Sequence, residues 1–107
     1  MMFEGISGLA FRNMREGTLG TKLVEELGEL LDVVERVPEF KNFNTSRELR
    51  QRLVEEMADA LVMILQAQEA LGARGELEAM VRYKIARTES EHVRGIGKEP
   101  EDAADED

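Results

Sequence analysis

Cysteine and tryptophan are absent from this chain of 107 residues, and histidine occurs once. Without cysteine there is no disulfide and no thiolate metal site, and a cytoplasmic location is expected. No apolar run approaches the ~20 residues of a membrane span, and the opening MMFEGISGLAFRNMREG has no signal-peptide pattern, so no membrane partner is expected. Aromatic residues make up 5% of the chain against six methionines, which suits helix packing better than a β-sandwich. There is also no basic excess. The net charge is −9, and six acids fall within residues 99–107, leaving the other 98 residues at −3 with 17 acidic against 14 basic side chains. A nucleic-acid partner is therefore not expected.

The chain reads as one helical domain over residues 1–94 and an acidic C-terminal tail over 95–107, expected to be disordered and solubilising. Deletion of residues 99–107 should accordingly leave the thermal midpoint and any activity nearly unchanged, because such a segment has little apolar surface to bury. Calorimetry of the shortened chain checks this, and a large loss of stability would show that the tail docks on the body.

What the chain does have is a stretch written twice. Residues 22–34 read KLVEELGELLDVV, and residues 52–64 read RLVEEMADALVMI. Lys22 corresponds to Arg52, Leu23-Val24-Glu25-Glu26 to Leu53-Val54-Glu55-Glu56, Gly28 to Ala58, and Glu29 to Asp59. Both copies carry apolar residues at helical spacing. At about 100° per residue, Glu26 falls inside the apolar arc of its helix and Glu29 at the arc's edge. Glu56 and Asp59 repeat this, whereas Glu25 and Glu55 point toward the polar side. An unpaired buried carboxylate is costly, so a proton, a cationic side chain or a metal should neutralise it. Two helices joined by a short loop pack antiparallel, an arrangement in which Glu26, Glu29, Glu56 and Asp59 converge. All-oxygen donors suit Mg²⁺ or Mn²⁺, which also bind substrate phosphates. Gly28 and Ala58, on the far side, are expected to admit the close approach of another helix.

Four helices are expected along the chain. The first covers residues 3–16, with Phe3, Ile6, Leu9/Ala10, Phe11 and Met14 on one face, and stops at Gly17. The second begins at Thr18 or Thr21 and ends near Arg36, ahead of Pro38. The third opens on a capping box from Thr45 to Glu48 and stops at Gly72. Between Ala60 and Leu65 it is apolar on nearly every side, which predicts burial by several neighbours and, in so small a chain, an oligomer. The fourth runs over roughly 76–92 with Leu77, Met80, Val81, Ile85 and Thr88 inward. Phe40 and Phe43, in the second connection, read as core plugs or a base-stacking lid. The fold class is all-α, a four-helix bundle around an antiparallel central pair.

The pattern Glu25-Glu26-x-x-Glu29 followed, after 26 residues, by Glu56-x-x-Asp59 resembles the EExxE…ExxD signature of MazG-type nucleoside triphosphate pyrophosphohydrolases. That all-α superfamily includes dimeric dUTPases, dCTPases and phosphoribosyl-ATP pyrophosphohydrolases. The resemblance covers the second to fourth helices. It implies that Glu26, Glu29, Glu56 and Asp59 hold Mg²⁺. It also implies hydrolysis of the α–β phosphate linkage of a nucleotide, giving a nucleoside monophosphate and pyrophosphate, in a homodimer or homotetramer. Both housecleaning of damaged nucleotides and salvage are compatible with it. Lys84 and Arg87 resemble the basic residues with which the family contacts phosphate, although the Asn often found among them is missing from RYKIARTESEH. Among the remaining residues, Glu25 and Glu55 are candidates to take the proton of an attacking water. Lys22, Lys84 and Arg87 are candidates to steady charge on pyrophosphate. Two other readings are open to the same residues. A di-iron carboxylate bundle wants two Glu-x-x-His pairs, and only Glu89 with His92 supplies one. A non-catalytic helical partner protein would use the duplicated helices as a dimer seam.

Overall fold

Helical periodicity resolves into four α-helices, α1 (Ile6–Glu16), α2 (Leu19–Glu35), α3 (Arg47–Leu71) and α4 (Arg74–Arg94). The computed structural model describes residues 3–36 and 46–94. Among these there is no strand, and no helix is long and apolar enough to cross a membrane. Phe40, Phe43, Thr45 and the acidic tail lie outside the described residues. The chain divides into two compact units, residues 1–73 with α1, α2 and α3, and residues 74–107 with α4.

Local chemistry sets the helix ends. Gly17 and Gly72 close α1 and α3 with φ of 72° and 62°, a left-handed turn that a side chain would strain. At each, two backbone N–H groups turn back onto the last helical carbonyls: Gly17 to Met14 and Thr18 to Asn13, then Gly72 to Glu69 and Ala73 to Gln68. The cap of α3 is Ser46, one residue later than expected, whose Oγ accepts from the Leu49 N–H at 3.2 Å. Ser46→Ala should cost about 1 kcal/mol of stability, read as a lowered denaturant midpoint. An unchanged midpoint would show that water replaces this cap at no cost.

In the first unit α2 and α3 run antiparallel. Val33 and Leu53 are buried against each other with Val34 and Leu49 beside them, while at the other end of the contact Glu26 and Glu29 meet Glu56. Burial of a Val or Leu side chain is worth about 1.5–3 kcal/mol, so this small core has little to spare for an unfavourable charge nearby. α1 is held to the C-terminal half of α3, by Ser7 Oγ donating to Glu69 Oε1 at 2.9 Å and by Asn13 Nδ2 donating to Gln66 Oε1 at 2.7 Å.

Several expected faces differ. α1 buries Ile6, Ala10 and Asn13, and leaves Phe3, Leu9, Phe11 and Met14 exposed. Small side chains at positions 10 and 13 let α1 lie close, and the bulky ones stand outside that contact. In α3, Ala60, Met63 and Leu65 are buried, but Leu61, Val62 and Ile64 each remain 38% exposed, so the chain alone does not enclose this segment. Nothing lies within 4 Å of a side-chain carbon built on Gly28, so no described helix approaches it closely. α4 starts at Arg74, ahead of the expected 76. Leu77 on it is half-buried, while Met80, Val81, Ile85 and Thr88 are exposed rather than inward. It is the one described helix of its unit, and a single helix cannot bury its own apolar stripe.

Candidate metal centre

Glu26 and Glu29 stand three residues apart on α2, and so are neighbours on one helix surface. Because α2 and α3 run in opposite directions, Glu56 meets them from across the helix contact. One carboxylate oxygen from each of Glu26, Glu29 and Glu56 lies within 4.8 Å of the others. On an octahedral Mg²⁺ with ~2.1 Å bonds, adjacent oxygens are about 3.0 Å apart and opposite ones about 4.2 Å, so the trio would draw in to share an ion.

Burial grades across the group. Glu56 is 8% exposed, Glu26 is half-buried, and Glu29 and Asp59 are exposed. Glu56 Oε2 accepts from Arg52 Nε at 3.2 Å, one helical turn away. Its Oε1 is buried with no hydrogen-bond partner, and so is Oε1 of Glu26. Burial holds the Glu26 carboxyl above the usual glutamate range, and the negative charges of Glu29, Asp59, Glu56 and Glu25 push it further the same way. Two buried oxygens without partners, one of them on the Glu26 carboxyl that already resists ionisation, are the kind of donor set that a divalent cation satisfies.

Asp59 acts on Glu26 through its charge but stands outside the close trio. Glu25 is exposed on the flank of the site, and Glu55 is exposed and accepts from Gln51 Nε2 at 3.3 Å. Lys22 Nζ donates to Asn13 Oδ1 at 2.9 Å. Lys84 and Arg87 belong to α4, where Lys84 is exposed and Arg87 Nε is 3.7 Å from Glu91 Oε2. His92 is exposed near the end of the same helix.

Three residues escape a sequence-only reading of the site, namely Arg52, Asn13 and Gln66. Arg52 carried a signal, since it occupies the repeat position of Lys22 one turn ahead of Glu56. Asn13 carried a fainter one, seven residues after Ile6 and therefore on the same helix face. Gln66 carried none, because a polar residue late in a helix reads as solvated. No protein family, curated protein or solved structure matches this chain.

Proposed function

We propose that the chain is a MazG-like nucleotide pyrophosphohydrolase, dependent on Mg²⁺ or Mn²⁺, that cleaves the α–β phosphate linkage of a nucleoside triphosphate or related nucleotide. The observation that carries this reading is the pair of buried, partnerless oxygens, Glu26 Oε1 and Glu56 Oε1, in one carboxylate trio drawn from both copies of a repeated helix. Glu26, Glu29 and Glu56 would hold the ion, with Asp59 at the margin. Bound there, a divalent cation supplies charge neutralisation for phosphate oxygens and acidifies an attacking water.

The chain's own side chains supply the rest. Glu25 or Glu55 takes the proton that water loses as it adds to phosphorus. The Lys22 ammonium, held by Asn13, keeps donors with which it binds an anionic phosphate oxygen. One water is consumed, and one nucleoside monophosphate and one pyrophosphate leave.

A homodimer or homotetramer belongs to the same proposal. Val24, Leu27 and Leu31 on α2 and Val54, Met57 and Leu61 on α3 are exposed apolar residues at repeat-related positions, with Ile64 exposed beyond them. Together they leave apolar surface on the α2–α3 pair uncovered. Such surface on an isolated chain suits a second copy. It also suits the non-catalytic partner reading, so activity has to decide.

The test is a nucleotide panel assayed with and without Mg²⁺, with pyrophosphate and monophosphate both quantified. Equimolar release of the two that requires the divalent ion is expected. Orthophosphate as the product, or no turnover on any nucleotide, would sink the enzyme reading.

A further inference from the structure

Lys22 and Arg52 occupy the same position in the two repeats, each one turn ahead of an acid of the trio, Glu26 and Glu56. A base four residues before a Glu shares its helix surface and can reach it. In α3 it does, with Arg52 Nε 3.2 Å from Glu56 Oε2. In α2 it does not. Lys22 Nζ donates to Asn13 Oδ1 at 2.9 Å, and Glu26 Oε1 stays buried without a partner. The two pairs have the same spacing and the same order along a helix; they differ in the base, Lys against Arg, and in the acceptor that α1 brings to Lys22.

Asn13 is fixed as an acceptor. It is buried, and its Nδ2 donates to Gln66 Oε1 at 2.7 Å. The Gln66 amide is oriented in turn, with Nε2 3.4 Å from the Met63 sulfur. Oδ1 of Asn13 is thereby turned to α2, where Thr18 Oγ1 donates to it at 3.3 Å beside the Lys22 ammonium. Turning the amide over would aim Nδ2 at an ammonium and lose a charge-assisted bond. A neutral amide also holds the ammonium without cancelling its charge. Lys22 has three donors, so two remain for another group.

We infer that Asn13, backed by Gln66, is a positioning residue that holds the Lys22 ammonium off Glu26. The carboxylate is kept for a divalent cation, and the ammonium, one turn away, for an anionic oxygen of the substrate. This rests on the cation-site reading proposed above.

The test uses the full chain with Mn²⁺ alone as probe, its affinity measured by calorimetry on the parent, Asn13→Leu, Lys22→Met and the double variant. Loss of Asn13 frees Lys22 to pair with Glu26, and Mn²⁺ affinity should fall about fivefold, the upper end for a solvent-accessible ion pair, since the Glu26 side is half-buried. Adding Lys22→Met should restore it, which repair of a purely structural defect would not do. Lys22→Met alone should change the affinity less than twofold; a gain as large as the rescue would mean that Lys22 already competes for Glu26, and would overturn the inference without relying on the Asn13 variant to fold. The chain has four lysines, so the ζ-nitrogen signal of Lys22 can be followed directly by NMR. It should be slow to exchange in the parent and lost in Asn13→Leu. A parent that binds Mn²⁺, with an Asn13→Leu affinity that is unchanged or that Lys22→Met does not rescue, overturns the positioning role alone. A parent that binds no Mn²⁺ overturns the cation site and this role together.

Discussion

Glu56→Gln should abolish tight divalent binding and lower pyrophosphate release by about a hundredfold or more, while the chain stays folded. Removal of a group that merely orients a metal ligand costs roughly 10–100-fold, and Glu56 would be a ligand itself. The substitution keeps the side chain's volume and removes its charge, so the packing beside Leu53 and Ala60 is not disturbed. Arg52 loses its ion-pair partner, but that side chain is 53% exposed and water replaces the contact at little cost. Glu35→Gln, at an exposed position on α2 away from the trio, is the control and should behave as the parent. Calorimetric titration with Mn²⁺ gives the affinity, and circular dichroism the fold. A Glu56→Gln chain that binds Mn²⁺ and turns over nucleotide like the parent would remove Glu56 from the site and, with it, the reason for placing a metal there.

The burial of Glu56 and the half-burial of Glu26 could be read from sequence because the angle between residues on one helix is set by backbone geometry alone. The repeat then transferred the reading from α2 to α3. What sequence did not reveal depends on the path of the chain between helices. Of the expected inward face of the first helix, Ile6 and Ala10 are buried, but Phe3, Leu9, Phe11 and Met14 are exposed and Asn13 is buried in their stead. The choice turns on how closely α1 can lie on α3 and on the partner Gln66 offers, and neither is local. Thr45 and Ser46 are both competent caps by residue type, and it is Ser46 whose Oγ accepts the Leu49 N–H. Lys22 shows the same limit at the site, since nothing in its own helix announces that Asn13, from α1, takes its ammonium.

Mg²⁺ or Mn²⁺ should raise the thermal midpoint well beyond what NaCl at matched ionic strength achieves. Carboxylates that converge repel one another at neutral pH, and a bound divalent ion relieves this, stabilising the fold by RT ln(1 + [L]/Kd). That is about 2.7 kcal/mol at a hundredfold excess over Kd, a shift on the order of 10–20 °C for a domain of this size. Screening by NaCl acts on all charges alike and gives only a small general gain. The pH dependence follows from Glu26, whose carboxyl is held above the usual glutamate range by burial and by its acidic neighbours. The folded chain thus binds this proton more tightly than the unfolded one. The stability from protonated Glu26 is complete below an ordinary glutamate pKa of about 4.3, and is lost as pH rises through the raised value. Cation binding needs the charged form, so the divalent gain should be largest at neutral pH and shrink as pH falls into that window. Glu56→Gln removes a ligand and also a repulsive neighbour, so its metal-free midpoint at neutral pH should equal or exceed the parent's, with most of the divalent gain gone. Melts of the parent that coincide in Mg²⁺, Mn²⁺ and matched NaCl would mean the acids do not act as one site, and would favour the non-catalytic helical partner over the enzyme.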